Sequence, residues 1–60
     1  MTIGQRIREA RLAKGWTQRA LATAMNYTGT YISSIENDHC VPSSRALMAF
    51  ERALKVRLVK

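Results

Sequence analysis

Cys40 is the only cysteine in a chain of sixty residues, and that fact narrows the possible folds more than any other. A chain this short keeps roughly 4,000 Å² of surface from about 10,000 Å² unfolded, and small domains of this kind often add disulfides or a structural metal. Neither staple is open here. One thiol closes no internal bridge, and Cys40 with the lone His39 cannot build a tetrahedral zinc site. A sandwich, barrel or doubly wound sheet would not fit, so the expectation is a single all-α domain spanning residues 1–60. The composition, 47% apolar and 23% charged, is that of a globular chain. Crude accounting of burial against chain entropy comes out near zero at this size, so contacts with a second copy or a bound partner are expected to add stability.

The punctuation divides the chain into four helices. Thr2 followed by Gln5 is a capping box, Ile3, Ile7 and Ala10 share a face, and Gly15 supplies a left-handed stop, which predicts a helix over 2–14. Thr17 caps a short second helix whose apolar patch is Leu21, Ala22 and Met25. Asn26 tolerates positive φ and can make the next turn before Thr28 caps a third helix. That helix buries Ile32 and Ile35 and leaves Gly29, Thr30, Ser33, Ser34 and Asn37 outward. Pro42 and Ser43 open a fourth, with Ala46, Leu47, Phe50, Ala53 and Leu54 as its stripe. The tail, residues 56–60, is open between strand, helix and disorder: Val56 and Leu58 alternate with Arg57 as a strand would, an isolated strand cannot stand alone, and it could pair with its copy in a second chain.

Ten Lys and Arg against four Asp and Glu give a net charge of +6, which favours a polyanionic partner. The cations are confined to two blocks, residues 1–19 and 45–60, and residues 20–44 hold none, only Glu36 and Asp38. No apolar run approaches the ~20 residues that cross a bilayer, and the opening MTIGQRIREAR lacks the apolar core of a secretory signal. A cytoplasmic protein without a membrane partner is expected.

Catalysis finds no constellation. His39 and Cys40 are adjacent and point apart with no third orienting group, Glu9 and Glu51 read as solvated, and no glycine-rich phosphate cradle occurs. The expectation is no enzyme, no cofactor, no metal and no small-molecule ligand.

When two helices cross near a right angle through a tight turn, a small residue is needed at closest approach, and Ala22 supplies it, with Ile32 and Ile35 locking the second helix onto the first. Residues 17–36 thus read as a helix-turn-helix. Here the stretches IGQRIREARLAKGWTQRALATAM, YISSIEND and VPSSRALMAFERALKV, in that order and covering nearly the whole chain, resemble the phage repressor and Cro (xenobiotic response element) family of DNA-binding proteins. The resemblance implies a compact four- to five-helix, lambda-repressor-like bundle from a prokaryotic or phage source, a sequence-specific transcriptional regulator that acts as a repressor and binds double-stranded DNA as a homodimer. It places Thr28, Gly29, Thr30 and Ser34 at base edges and Gln18 and Asn37 at phosphates. Arg11 and Glu36 fall where the family often has a buried ion pair, the alternative being two solvated charges.

Arg19 and Arg45 open the second and fourth helices near the expected phosphate path, or merely keep the surface soluble; Arg6, Arg8, Arg52 and Lys55 read as solubility or steering charges. Trp16 reads as an anchor between the first two helices. Tyr27 and Tyr31 either pack or reach a phosphate or thymine methyl. The chain departs from the family at Asn26 and Asp38, where glycine is usual, and in a reading face without the Arg, Lys, Gln or Asn that make bidentate base contacts. That last departure keeps a second reading open, a module of the same fold that binds another regulator instead of DNA.

Overall fold

Four hydroxyls decide where the helices begin. In the computed structural model, which describes residues 1–58, the side chains of Thr2, Thr17, Thr28 and Ser43 each accept the backbone N–H three residues on, from Gln5 at 3.1 Å, Ala20 at 3.0 Å, Tyr31 at 3.1 Å and Ala46 at 3.2 Å. Each cap stabilises its helix start by about 1 kcal/mol. The Gln5 side chain returns a bond to the Thr2 N–H at 3.0 Å, completing the capping box. The helices are α1 (Ile3–Ala13), α2 (Gln18–Met25), α3 (Gly29–Glu36) and α4 (Ser44–Leu54), with no strand among the described residues.

Left-handed residues mark where the chain turns away. Gly15, Asn26, Asp38 and Lys55 follow the four helices with φ of 74, 62, 61 and 55°. Asp38 thus satisfies with a side chain the backbone that glycine would adopt freely, since short Asx side chains tolerate this region.

Each helix contributes to one core. Ile7 of α1, Leu21 of α2, Ile32 and Ile35 of α3 and Phe50 of α4 are fully buried, joined by Ala22, Met25, Ala46 and Leu54. Every large member adds about 1.5–3 kcal/mol of burial. The third helix packs chiefly on α2 and then on α1, while α4 packs on α2 and α1, so α3 is held from behind and its other side is left for solvent.

Two features of the fold arise from contacts between distant segments. The chain after Lys55 is neither strand nor helix through Leu58; it folds back so that the Leu58 N–H donates to the Glu51 carboxylate at 2.8 Å and the Leu58 side chain enters the core. Glu51 is accordingly half-buried and engaged, not solvated. The rest of the predicted tail, residues 59–60, lies outside the described residues. The second feature is Gly4, buried in α1. A Cβ there would collide with the Ile35 carbonyl and lie 2.7 Å from Asp38 Oδ1, so the missing side chain lets α1 lie against the end of α3.

Candidate nucleic-acid interface

The segment from Thr17 to Glu36 forms two short helices joined by Asn26, Tyr27 and Thr28. The left-handed Asn26 (φ 62, ψ 41) lets the Tyr27 N–H return to the Ala22 carbonyl at 2.9 Å, and Ala22 itself is buried at the crossing. The half-buried Tyr27 and Tyr31 rings pack on the core and stack on each other, centroids 5.1 Å apart and 26° from parallel. Such a contact adds about 0.5–1.5 kcal/mol beyond its area.

A buried network fixes α3 from behind. Arg11 donates from Nε to Glu36 Oε2 at 2.7 Å and from Nη2 to Glu36 Oε1 at 3.0 Å, with the two side chains 9% and 2% exposed. The third guanidinium nitrogen, Nη1, donates to the Trp16 carbonyl at 2.7 Å, and Gln18 Nε2 donates to Glu36 Oε1 at 3.1 Å. The Arg11–Glu36 pair therefore ties α1, the turn before α2, the first residue of α2 and the last residue of α3. No buried side-chain nitrogen or oxygen among the described residues is left without a partner.

The sequence-predicted reading residues divide by exposure. Thr28, Gly29 and Thr30 are exposed at the start of α3; Ser34, one turn beyond Thr30, is half-buried, as is Ser33. The expectation that both serines face outward is corrected to partial exposure, and Ser33 Oγ accepts from Asn37 Nδ2 at 3.3 Å. The Thr28 oxygen is occupied as the α3 cap, which leaves its O–H free to donate. Asn37, exposed, sits about 13 Å along the helix from Thr28.

Arg19 and Arg45 are exposed in the first turns of α2 and α4. Gln18 is half-buried, and one hydrogen of its amide nitrogen goes to Glu36 Oε1, leaving the second amide hydrogen, the amide oxygen and the helix N-terminus as its remaining polar features. None of the four helices carries an acidic residue in its first turn, so their positive dipole ends are not offset there. Tyr31 is half-buried; burial first, then the neighbouring Cys40 and Tyr27, raises its phenol above the ordinary 10.0. Trp16, half-buried, packs on the core beneath Lys14, whose Nζ lies 5.1 Å from the ring centroid. His39 and Cys40 are both exposed.

Asp38 is the residue whose role reading from sequence missed. Its Oδ2 accepts from the Thr2 hydroxyl at 3.0 Å, which turns the carboxylate toward the positive N-terminal end of α1. The available signal was the Asn37–Asp38 pair, two residues suited to ending a helix in the left-handed region.

A sequence profile described as helix-turn-helix matches residues 7–60. Among solved structures, the P22 c2 repressor protein in complex with a synthetic operator superposes with a TM-score of 0.91 at 28% identity, covering 97% of this chain and 88% of that one. SinR, a master regulator for biofilm formation solved in complex with DNA, gives 0.88 at 34% identity, covering 95% and 92%. Multiprotein-bridging factor 1 of Schizosaccharomyces pombe is 32% identical over 57 residues, and endothelial differentiation-related factor 1 of Homo sapiens 33% identical over 58. The chain covers 38% and 39% of those two proteins, so it spans about two fifths of the curated relatives it matches.

Proposed function

The chain belongs to the helix-turn-helix family, in its Cro and repressor branch, and from that premise we propose that it is a DNA-binding transcriptional regulator. Proteins of this family and fold are binding proteins, and the chain is not an enzyme. The observation that carries the proposal is the presentation of α3. Its first turn exposes Thr28, Gly29 and Thr30, while Ile32, Ile35 and the Arg11–Glu36 pair hold the opposite side in the core. A helix so supported can enter a major groove end-on.

In this reading Thr28, Gly29, Thr30 and Ser34 face base edges. Hydroxyls offer single hydrogen bonds and the threonine methyls suit thymine, so base selection is modest and duplex shape contributes. Arg19 and Arg45 contact phosphates as cations, Gln18 and Asn37 as neutral donors, and the Tyr31 phenol at the edge of α3. Both structural neighbours with the highest agreement given above were solved on DNA, which supports the same mode here. The regulator acts as a repressor and binds as a homodimer, with half-sites about 34 Å apart.

Selection from random duplex DNA, followed by an anisotropy titration against salt, tests this. Two cationic phosphate contacts per copy, Arg19 and Arg45, give a dimer a slope of log K on log salt of about −3.6. A palindromic consensus with a slope near that value is expected, and Thr30→Ala with Ser34→Ala should erase the consensus without unfolding. No consensus together with a flat salt dependence refutes the proposal.

A second reading has its own support. The third helix carries no cation, and relatives at 32–33% identity include one named for multiprotein bridging. If α3 contacts another regulator instead of DNA, the same double variant leaves DNA binding unchanged and abolishes capture of that protein.

A further inference from the structure

A groove of about 520 Å³ lies between the end of α2 and the length of α4, and it borders the proposed DNA face at Arg45, which the two surfaces share. Its floor is made of small side chains, Ala24 on one wall and Ala49 and Ala53 on the other, and Met48 stands beside them with 57% of its surface exposed. Arg45 and Arg52 close the two ends of the α4 wall. Both are exposed, and neither is in an ion pair among the described residues.

We propose that this groove docks an amphipathic helix of a partner protein carrying two carboxylates seven residues apart. The spacing follows from α4. Arg45 and Arg52 are seven residues apart on one helix, about 10.5 Å along its axis. A second helix laid along the groove meets both guanidiniums with acidic side chains at the same separation, and its residues three and four positions after the first acid fall on Met48 and the alanine floor. Small residues on both walls allow close approach of a helix backbone, and a flexible thioether adapts to the partner's apolar side chains. An extended peptide has no matching site, since the described residues contain no sheet edge to extend.

Charge complementarity also excludes a second copy as the occupant. A two-fold pairing of this face would set Arg45 and Arg52 against the same residues of its copy. Nor can the chain supply the acidic helix itself. Its carboxylates are Glu9, Glu36, Asp38 and Glu51; Glu36 is buried with Arg11, Glu51 holds the Leu58 N–H, and no two of the four are seven apart.

The test uses the full chain and a synthetic helical peptide with glutamates seven residues apart and two leucines midway, followed by nuclear magnetic resonance. Saturable shifts centred on Ala24, Met48 and Ala49 are expected. A peptide with lysines in place of the glutamates should bind about tenfold more weakly, because each exposed pair turns from attractive to repulsive. Arg52→Glu should weaken the glutamate peptide to a similar degree, and a peptide with lysine opposite that position should recover binding to the variant. Arg52→Glu stays folded at room temperature and its duplex affinity stays within about twofold of the parent, so the DNA reading stands or falls separately. Absent binding, equal binding of both peptides, shifts elsewhere, or a change of oligomeric state in Met48→Glu would each overturn the proposal.

Discussion

Replacing Glu36 by alanine removes an acceptor of three hydrogen bonds, two from Arg11 and one from Gln18. The guanidinium left behind is 9% exposed and keeps only the Trp16 carbonyl. Breaking a buried pair by deleting one partner costs about 3–5 kcal/mol, because the remaining charge is neither solvated nor matched. A chain of this length has a total stability of roughly 3–9 kcal/mol, so the substitution consumes most of it. At about 4–8 °C per kcal/mol for a domain this small, even the low figure lowers the melting temperature by about 12–24 °C. Thermal melts followed by far-ultraviolet circular dichroism read this directly. The proper control is Glu9→Ala, whose carboxylate is exposed; Glu51 will not serve, since it holds the Leu58 N–H. Glu36→Gln, which keeps an acceptor for Gln18 but loses the charge, should fall between the parent and alanine. Replacing both partners, Arg11→Met with Glu36→Leu, should recover much of the loss, because an apolar pair needs no matched charge. A Glu36→Ala melting temperature within a few degrees of Glu9→Ala would refute the reasoning.

Gly4→Ala places a methyl against the Ile35 carbonyl and Asp38 Oδ1; despite alanine's better helix propensity, overpacking should cost about 1–3 kcal/mol, measurable by urea denaturation, and an unchanged midpoint would contradict it. At the left-handed Asn26 (φ 62), Asn26→Gly should be nearly neutral while Asn26→Ala loses about 1 kcal/mol, the order being the diagnostic. Burial raises the Tyr31 phenol above 10.0, so its protonated form is favoured by folding. The stability it contributes is fully present below pH 10.0 and is lost as pH rises through the raised folded value. Denaturation of the parent at rising alkaline pH should show that decline and Tyr31→Phe should lack its share of it; identical profiles would argue against the assignment.

The elements and their limits were legible in the residues because capping and turning are local chemistry. A hydroxyl three residues before a free N–H, or an Asx or glycine at a left-handed position, acts within one turn of chain, and so Thr2, Thr17, Thr28, Ser43, Gly15 and Asn26 could be placed without knowledge of the rest. The buried apolar stripe of each helix was equally readable, since periodicity decides it. The side chains proposed at the reading face were named from a resemblance, and the fold supplied their degree of exposure, leaving Thr28, Gly29 and Thr30 exposed and Ser34 half-buried.

What the chain alone did not decide were the contacts that depend on two elements meeting. The Glu51 carboxylate turns from solvated to engaged only because the tail folds back over α4, and Asp38 acquires the Thr2 hydroxyl only because α1 and α3 are drawn together over Gly4. Gln18 reads as a surface amide until α2 and α3 bring it to Glu36. The groove beside Met48 likewise exists only once α2 and α4 are packed. Local backbone chemistry is written in neighbouring residues; desolvation and pairing are set by what the other helices bring to the same place.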